Sequence, residues 1–477
     1  MEHPSSYGGR QVVILGLARS GVAVAKLFHE QGAHVTVNDK KERQLCPEAD
    51  ELEALGISVV CGSHPAGLVH EGISLVVKNP GIPYTVDPVR RARELGVEVV
   101  TEVEVAYRIC RAPIIGITGS NGKTTTTTWT GLMLEAGGLH PIVAGNIGRA
   151  LTEAALEAQE DHQMVVELSS FQLKGTDRFR PRIGCLLNVY ETHLDYHGTM
   201  NDYVESKAKL FANQRAEDTA VLNWDHAVCR KVAEGLKSQV LPFSIRTEME
   251  YGLFIQPPFP EGAEGELAAA EERKLVYRSK DGELTEILPV KELGIPGSFN
   301  IENALAASAI ALTCGVGAEA IAGVLRTFGG VEHRLELVGT KDGVQFYNNS
   351  KATNPTATIK TIEAFTQNIV LIAGGLDRGS DYMELLPVFG GQVKGLVAIG
   401  ETKDKIVRVA NLAGMSQVKT VDTAKQVQDT VTKAVKEAFA MAKPGDVVLL
   451  SPACASWDMF ASYEERGSMF KRSVHNL

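Results

Sequence analysis

No stretch of this chain approaches the run of about 18 apolar residues that a membrane-spanning helix needs. Its first apolar run, Val12-Val13-Ile14-Leu15, is short, lacks a basic leader and enters a glycine loop, so a secretory signal is not expected. There is no Cys-x-x-Cys pair. The seven cysteines are scattered and odd in number, which speaks against a disulfide framework and for small buried side chains in a reducing cytoplasm. Basic residues are also in deficit. The 48 Lys and Arg against 58 Asp and Glu leave a net charge of −10, which argues against a polyanion-binding surface as the main purpose. Internal repeats and coiled-coil heptads are missing as well, which removes repeat arrays and fibres.

What remains is ample for several globular cores: 477 residues, 44% of them apolar and 22% charged, a length that suggests about three domains. In the first hundred residues short apolar runs alternate with helical patterns. Strands are expected at Val12–Leu15, Val35–Val37, Leu75–Val77 and Val97–Val100, forming a parallel sheet covered on both faces. The turn Gly16-Leu-Ala-Arg-Ser-Gly21 approximates GxGxxG, with Ala18 in place of the middle glycine and Asp39 about 20 residues on. Taken alone it could hold a dinucleotide, a nucleotide-sugar or nothing. A second loop, Asn79-Pro-Gly-Ile-Pro83, leaves the same carboxyl edge of the sheet.

A second α/β unit opens near Arg111. The apolar run Ala112–Ile117 reads as a strand, Gly116-Ile-Thr-Gly-Ser-Asn-Gly-Lys-Thr-Thr125 follows, and a helix is expected from Lys123 to the stop at Gly137-Gly138. That is the strand–loop–helix setting of a phosphate-binding loop. Small residues let backbone N–H groups converge on phosphate oxygens, and the helix N-terminus adds positive potential. Lys123 then reaches the terminal phosphates and the Thr124 hydroxyl a Mg²⁺ ion. Thr118 stands where a further glycine is common, a small departure from the standard motif.

Further strands are expected at Val165–Leu168 and Cys185–Val189. The acidic, Ala/Gly/Pro-rich residues Glu248–Glu272 read as a mobile surface excursion, and Asp281-Gly282 as a hairpin turn between Lys274–Arg278 and Leu284–Leu288. A third unit begins near Gly330, with strands at Phe346–Tyr347, Ile369–Ala373, Leu396–Ile399 and Val447–Leu450.

Chemistry-bearing residues gather after these strands. Glu167 ends one beside the phosphate loop, where a carboxylate suits Mg²⁺ coordination; a solvated glutamate is the alternative. His193 lies in Asn188-Val-Tyr-Glu-Thr-His-Leu-Asp-Tyr-His197, either a metal-binding or proton-carrying loop or plain surface polarity. Lys207 sits in the helical pattern Tyr203-Val-Glu-Ser-Lys-Ala-Lys-Leu-Phe211. Spacing alone makes it an exposed or snorkelling lysine.

Together these motifs resemble the Mur ligase family of ATP-dependent amide-bond ligases over essentially the whole chain. In family order stand the phosphate loop, Ala144-Gly-Asn-Ile-Gly148, Glu167-Leu-Ser-Ser170, the HLDYH segment with its following YxxxK, Asn300-Ile-Glu-Asn303, His333-Arg334 and Asn348-Asn-Ser-Lys-Ala-Thr-Asn354. The ending Ser451-Pro-Ala-Cys-Ala-Ser-Trp-Asp-Met-Phe460, with Tyr463-Glu-Glu-Arg-Gly467, looks like the D-glutamate-adding branch.

The resemblance implies a three-domain α/β fold: a Rossmann-like UDP-binding domain (1–110), a central P-loop ATPase domain (111–330) and a Rossmann-like C-terminal domain (331–477). It also implies roles. Gly119, Ser120, Asn121, Gly122, Lys123, Thr124 and Thr125 would cradle ATP, with Asn303, Arg334 and Asn349 as further ATP contacts. Thr124 and Glu167 would serve a first Mg²⁺, His193 and Lys207 a second, with Mn²⁺ as a substitute. Lys207 would carry a CO₂-derived carbamate. Lys123, Glu167, His193 and Lys207 form the expected catalytic set. Arg19, Ser20, Asp39, Lys40 and Asn79 would line the uridine diphosphate pocket, and Asn146 would touch substrate and phosphate. Lys351, Thr353, Asp377, Arg378, Ser456, Trp457 and Tyr463 would neighbour D-glutamate or nucleotide. Cys454 falls inside the last motif without a thiol role and reads as packing.

The implied partners are UDP-N-acetylmuramoyl-L-alanine and D-glutamate, joined through an acyl phosphate by a cytoplasmic monomer whose last domain closes over ATP during peptidoglycan precursor synthesis. One position departs from the family. Asn349 stands where Asp is usual at the ATP ribose, and its amide offers no charge and one acceptor oxygen. Rival readings are a sibling ligase, a folylpolyglutamate-type ligase, a non-catalytic nucleotide switch and a Rossmann dehydrogenase. The SPACASWDMF ending, with no DNPR motif, disfavours the first two; the last two leave most motifs unused.

Overall fold

The computed structural model describes residues 1–260 and 272–477. Its strands form three sheets. The first is built from β1 (Gln11–Leu15), β2 (His34–Asp39), β3 (Ser58–Cys61), β4 (Ile73–Lys78) and β5 (Val99–Val100) in the order β3-β2-β1-β4-β5, parallel at every pairing. Order reverses on either side of β1, so the Gly16 turn and the Asn79 loop leave the sheet side by side, the usual place for a ligand in an open α/β sheet.

The second sheet holds β6 (Ile114–Thr118), β7 (His140–Gly145), β8 (His162–Glu167), β9 (Ile183–Leu186), β10 (Thr219–Asn223), β11 (Gln239–Ser244), β12 (Gly252–Gln256), β13 (Lys274–Arg278) and β14 (Leu284–Pro289). Their order is β14-β13-β12-β11-β10-β9-β6-β8-β7, parallel from β7 to β12. The third contains β15 (Glu336–Lys341), β16 (Val344–Asn348), β17 (Ile369–Ala373), β18 (Val393–Ala398), β19 (Gln417–Thr420) and β20 (Val447–Leu450) in the order β15-β16-β20-β17-β18-β19, with only β15 antiparallel. Near-continuous burial of β1, β6, β17 and β20 follows from helices on both faces, which is why these strands read as unbroken apolar runs.

Contacts divide the chain into two compact units. One comprises Met1–Pro258, Leu275–Ile287 and Glu302–Val324; the other is chiefly Leu288–Ile301 and Leu325–Leu477. The first unit contains both the first and the second sheet because buried acceptors on the connecting helix Glu102–Ile109 hold backbone donors of the second. The fully buried Glu104 carboxylate accepts from the N–H groups of Asp177, Arg178 and Phe179 at 3.0–3.1 Å. Glu102 accepts from Thr152 N at 2.9 Å, and the Thr101 hydroxyl donates to the Gln172 carbonyl at 2.7 Å.

Several expectations change. The Val97–Val100 strand shrinks to two residues, and β3 went unread because Ser58–Cys61 is short and half-buried. Strand β9 stops at Leu186, freeing residues 187–189 to run along the phosphate loop. The excursion expected at Glu248–Glu272 contains β12, whose Leu253, Phe254 and Ile255 are fully buried; acidic, Pro-rich flanks hid a core strand. Residues 261–271 of that stretch lie outside the described residues. The hairpin strands β13 and β14 are neighbours, with Gly282 at φ +85° in the turn. Of the seven cysteines, all free, Cys46, Cys185, Cys229 and Cys454 are buried, while Cys61, Cys110 and Cys314 keep some exposure. Among the described residues no helix is long and apolar enough to cross a membrane.

Candidate active site

Strand β6 delivers the loop 119–122 to the N-terminus of the helix Lys123–Ala136. Gly122 makes that entry with φ +83°, and a Cβ there would lie 2.1 Å from Asn303 Oδ1, so both its backbone angle and its missing side chain are required. Asn303 Oδ1 accepts from the Thr126 hydroxyl at 3.3 Å, which places that expected ATP contact against the same helix. Lys123 folds over its own loop, Nζ donating to the Gly119 and Ser120 carbonyls at 2.8 and 2.9 Å.

Two residues outside the expected set brace this loop. Asn188 accepts from Asn121 N at 2.9 Å and returns a bond to the Asn121 carbonyl, while its own carbonyl takes Ser120 N at 3.0 Å. Tyr203 OH lies 2.9 Å from Ser120 Oγ. Both stand in the motifs around His193 and Lys207, but strand-end position alone gives no sign that they reach back to the loop.

Glu167 ends β8, in register with Ile117 on β6, and is 1% exposed. Its Oε1 accepts from Asn146 Nδ2 at 2.9 Å; its Oε2 is buried with no hydrogen-bond partner among the described residues. A buried carboxylate oxygen without a donor is costly unless a cation meets it. His193 takes a left-handed conformation (φ 58°) at the start of the short helix Leu194–His197. Burial, then the nearby charge of Lys123, holds its imidazole below the usual histidine range, which favours the neutral ring with one nitrogen available as an acceptor. Among the described residues no three His, Cys, Asp or Glu side chains group closely enough to cage a metal. The donor set instead suits Mg²⁺, which takes one or two carboxylates and completes its shell with phosphate oxygens and water.

Lys207 overturns the reading from spacing. It is 1% exposed, its Nζ donating to the Gly119 carbonyl at 2.8 Å and lying 4.7 Å from the Tyr203 ring centroid. Burial first, and the charge of Lys123 second, push its pKa well down. It forms no ion pair among the described residues.

A cavity of about 620 Å³, within the range of small-molecule sites, lies in this first unit. Arg19, Ser20, Pro80 and Gly81 line it from the first sheet; Lys123, Asn146 and His193 are among those lining it from the second. Asp39, Lys40 and Asn79 stay outside the lining. Asp39 is engaged in holding the turn, Oδ2 accepting from Leu17 N at 2.8 Å and Oδ1 from Lys41 N at 2.9 Å. Asn79 packs on Gly16, where a Cβ would meet its amide at 2.3 Å. Lys40 is exposed.

The remaining expected residues stand on the second unit. Lys351 Nζ donates to Tyr463 OH at 2.6 Å and sits 4.0 Å from that ring's centroid. Asp377 Oδ1 accepts from Lys405 Nζ at 2.9 Å, which holds its carboxyl below the usual range. Arg378 lies 5.1 Å over the ring of Trp457, which is 64% exposed, whereas Ser456 is buried. Arg334 and Thr353 are partly exposed. Asn349 is buried, Nδ2 donating to Thr361 Oγ1 (2.7 Å) and Ser451 Oγ (3.2 Å) while Oδ1 accepts from Leu335 N (3.2 Å). Cys454 packs as expected, its Sγ 3.2 Å from Tyr382 OH and 3.3 Å from Thr402 Oγ1. Unforeseen is Arg466, fully buried, whose guanidinium donates to the Ser350, Cys454 and Ala455 carbonyls and so ties the 350 and 454 loops together.

The chain is similar to known proteins over its whole length. Residues 10–101 match a family model described as "Mur ligase MurD-like, N-terminal domain", 117–311 one described as "Mur ligase middle domain", and 333–454 "Mur ligase, glutamate ligase domain". The UDP-N-acetylmuramoylalanine--D-glutamate ligase of Geobacillus sp. (strain WCH70) is 47% identical, covering 100% of both chains. Those of Geobacillus kaustophilus (48%, over 99% of this chain and 98% of the relative) and Bacillus cereus (46%, over 100% of both) are equally similar. Among solved structures, the MurF ligase of Thermotoga maritima in complex with ADP shares the fold at TM-score 0.55 and 17% identity, with 99% of this chain and 97% of that one covered.

Proposed function

We propose that this chain, which belongs to the Mur ligase family, joins D-glutamate to UDP-N-acetylmuramoyl-L-alanine at the expense of ATP. The observation that carries this reading is the cavity that brings Arg19 and Ser20 of the first sheet opposite Lys123, Asn146 and His193 of the second. A UDP-sugar bound along the first sheet there extends its alanyl carboxylate toward a γ-phosphate held by the loop 119–125. In this reading residues 1–110 take the UDP-linked substrate, 111–330 take ATP, and 331–477 take D-glutamate with part of the nucleotide. The enzyme acts as a cytoplasmic monomer in peptidoglycan precursor synthesis.

The reaction begins with attack of the alanyl carboxylate on the γ-phosphorus, releasing ADP and leaving an acyl phosphate. The D-glutamate amine then adds to the activated carbonyl, and phosphate leaves the tetrahedral adduct to give the amide. Two anions must meet in the first step, so positive charge between them lowers the barrier most. Lys123 supplies one such charge from the loop. Mg²⁺ ions held by Thr124 and Glu167, and by His193 and a carbamate on Lys207, would supply the rest as Lewis acids. Asn146 occupies one oxygen of the Glu167 carboxylate, which leaves Oε2 for a cation. Lys351, Thr353, Ser456, Trp457, Tyr463, Asp377 and Arg378 orient the amino acid, and Asn303 and Arg334 the nucleotide.

The test is phosphate release from ATP with Mg²⁺ by the purified protein. Release is expected only when UDP-N-acetylmuramoyl-L-alanine and D-glutamate are both present, with an amide-linked product in equal amount. Release with ATP alone, or with L-lysine or diaminopimelate in place of D-glutamate, overturns the assignment.

A further inference from the structure

Two segments that reach the cavity, the loop Asn79–Ile82 through Pro80 and Gly81 and the turn His193–His197 through His193, are joined by a buried lysine for which the phosphoryl chemistry has no use. Lys78 ends β4 and is 1% exposed, with no ion pair among the described residues. Its Nζ, with at most three N–H groups, lies within hydrogen-bond distance of four acceptors: the carbonyl oxygens of Ile82 (2.8 Å), Pro80 (3.2 Å) and Asn79 (3.4 Å), and Tyr196 OH (3.3 Å). The Tyr84 ring centroid lies 4.5 Å from the same nitrogen. Tyr196 OH in turn donates to the Pro80 carbonyl at 3.0 Å. The Tyr196 ring meets Phe171 edge-on at 4.5 Å, and Phe171 meets the His193 ring at 5.1 Å. Pro80, Gly81, Phe171 and His193 all face the cavity.

An ammonium group in a nearly dry site is expensive unless its donors are used. Here every acceptor belongs to the loop or to the turn facing it. The group is therefore spent on fixing one segment against the other rather than on binding from solvent.

We propose that Lys78 and Tyr196 are positioning residues, a clamp that holds the Asn79–Ile82 loop at a set distance from His193 so that the UDP-linked substrate is seated with its carboxylate facing the phosphate loop. This rests on the cavity being the site of that substrate. A loop released from the clamp would bind the UDP-sugar in several poses, few of them productive, while ATP, held by the loop 119–125, and the amino acid, held on the second unit, would be little affected.

The experiment compares Lys78→Met, Tyr196→Phe and the double variant with the parent chain by two readouts. The first is amide hydrogen exchange of the 79–86 segment without any ligand, which needs no assumption about substrates. Faster exchange is expected in both single variants, with Met the larger. The second is steady-state kinetics. KM for UDP-N-acetylmuramoyl-L-alanine is expected to rise about tenfold in Lys78→Met, the scale of one lost buried hydrogen bond. KM for ATP and for D-glutamate should stay within about twofold. The double variant should be no worse than Lys78→Met, since the two residues act as one device. Unchanged exchange in 79–86, or a parallel rise of all three KM values, overturns the clamp. If Lys78→Met does not fold, Tyr196→Phe, which removes one oxygen, decides by the same readouts. A parent chain that turns over without the UDP-linked substrate refutes the functional assignment instead, and the exchange result then still decides whether the clamp exists.

Discussion

Lys123 and Lys207 donate to one and the same backbone oxygen, each Nζ lying 2.8 Å from the Gly119 carbonyl. One carbonyl dipole does not balance two ammonium charges, and of the two lysines Lys207 is the one closed off from water while Lys123 faces the cavity. The more deeply buried partner yields, and Lys207 is the one pushed toward the neutral amine. A neutral amine is the form that adds CO₂, and the resulting carbamate would turn a repelled cation into an anion beside Lys123. Burial thus does most to favour the neutral amine of Lys207, the charge of Lys123 adds to it, and that same charge would stabilise a carbamate formed there.

Lys207→Ala is expected to lose activity by about 10²–10³, the usual scale for one preorganised electrostatic partner, and to regain part of it in formate or acetate. Lys207→Arg stays inactive, because a guanidinium keeps its charge and cannot form the carbamate. Full turnover in the arginine variant would remove the carbamate from the mechanism. A carbamate carbon signal from the parent chain under ¹³CO₂ that is lost in both variants would support it.

Gly122→Ala combines a left-handed backbone with a clash against Asn303, whereas a Cβ at Gly138, at φ +78°, would meet nothing within 4 Å among the described residues. Alanine at 138 should cost only the backbone penalty of about 1–2 kcal/mol, with ATP affinity intact. Alanine at 122 should cost more and also weaken ATP binding, because Asn303 must move. Equal effects of the two variants on the ATP dissociation constant would contradict this account of the loop.

Asn349→Asp would appear from sequence to restore a ribose acceptor. The structure assigns the amide other duties, since Nδ2 donates to Thr361 and Ser451. A carboxylate there accepts only, and Thr361 Oγ1 already donates to the Ala357 carbonyl. The substitution is therefore expected to destabilise the second unit by about 1–3 kcal/mol, the range for a buried polar group left unmatched, measured by urea unfolding. A rise in stability would show that the hydroxyls turn to donate.

Lys78 gives a pH dependence of definite sign. Burial, with a smaller push from Lys174, lowers its pKa from 10.5 to about 7. The neighbouring Tyr84 and Tyr196 are both pushed upward and stay neutral there, and Asp202 stands near them. Between the two values the unfolded chain binds the extra proton, so stability rises with pH through that window, and the cost of the buried charge is complete below about pH 7. The unfolding free energy of the parent chain relative to Lys78→Met should therefore increase from about pH 6 to about pH 9. A flat difference would mean that the three carbonyls keep the ammonium charged throughout.

Sequence alone determined whatever is carried by local pattern. The apolar runs of β1, β6, β17 and β20 and the glycines before Lys123 marked strands and the phosphate loop, because burial on both faces and a tight turn restrict residue type position by position. Motif order marked the family. Lys207 was legible only as a helical lysine, because spacing shows which face a residue occupies but not that Tyr203 and the Gly119 carbonyl close over that face. Leu253-Phe254-Ile255 was lost among acidic neighbours until its pairing with β11 buried it. Tertiary structure decided the rest. Glu104 binds three amides more than seventy residues away, Asn349 spends its amide inside the second unit, and Lys78 joins the Asn79 loop to Tyr196 more than a hundred residues along the chain. Such contacts depend on desolvation and on groups brought together from distant segments, and no local pattern encodes either.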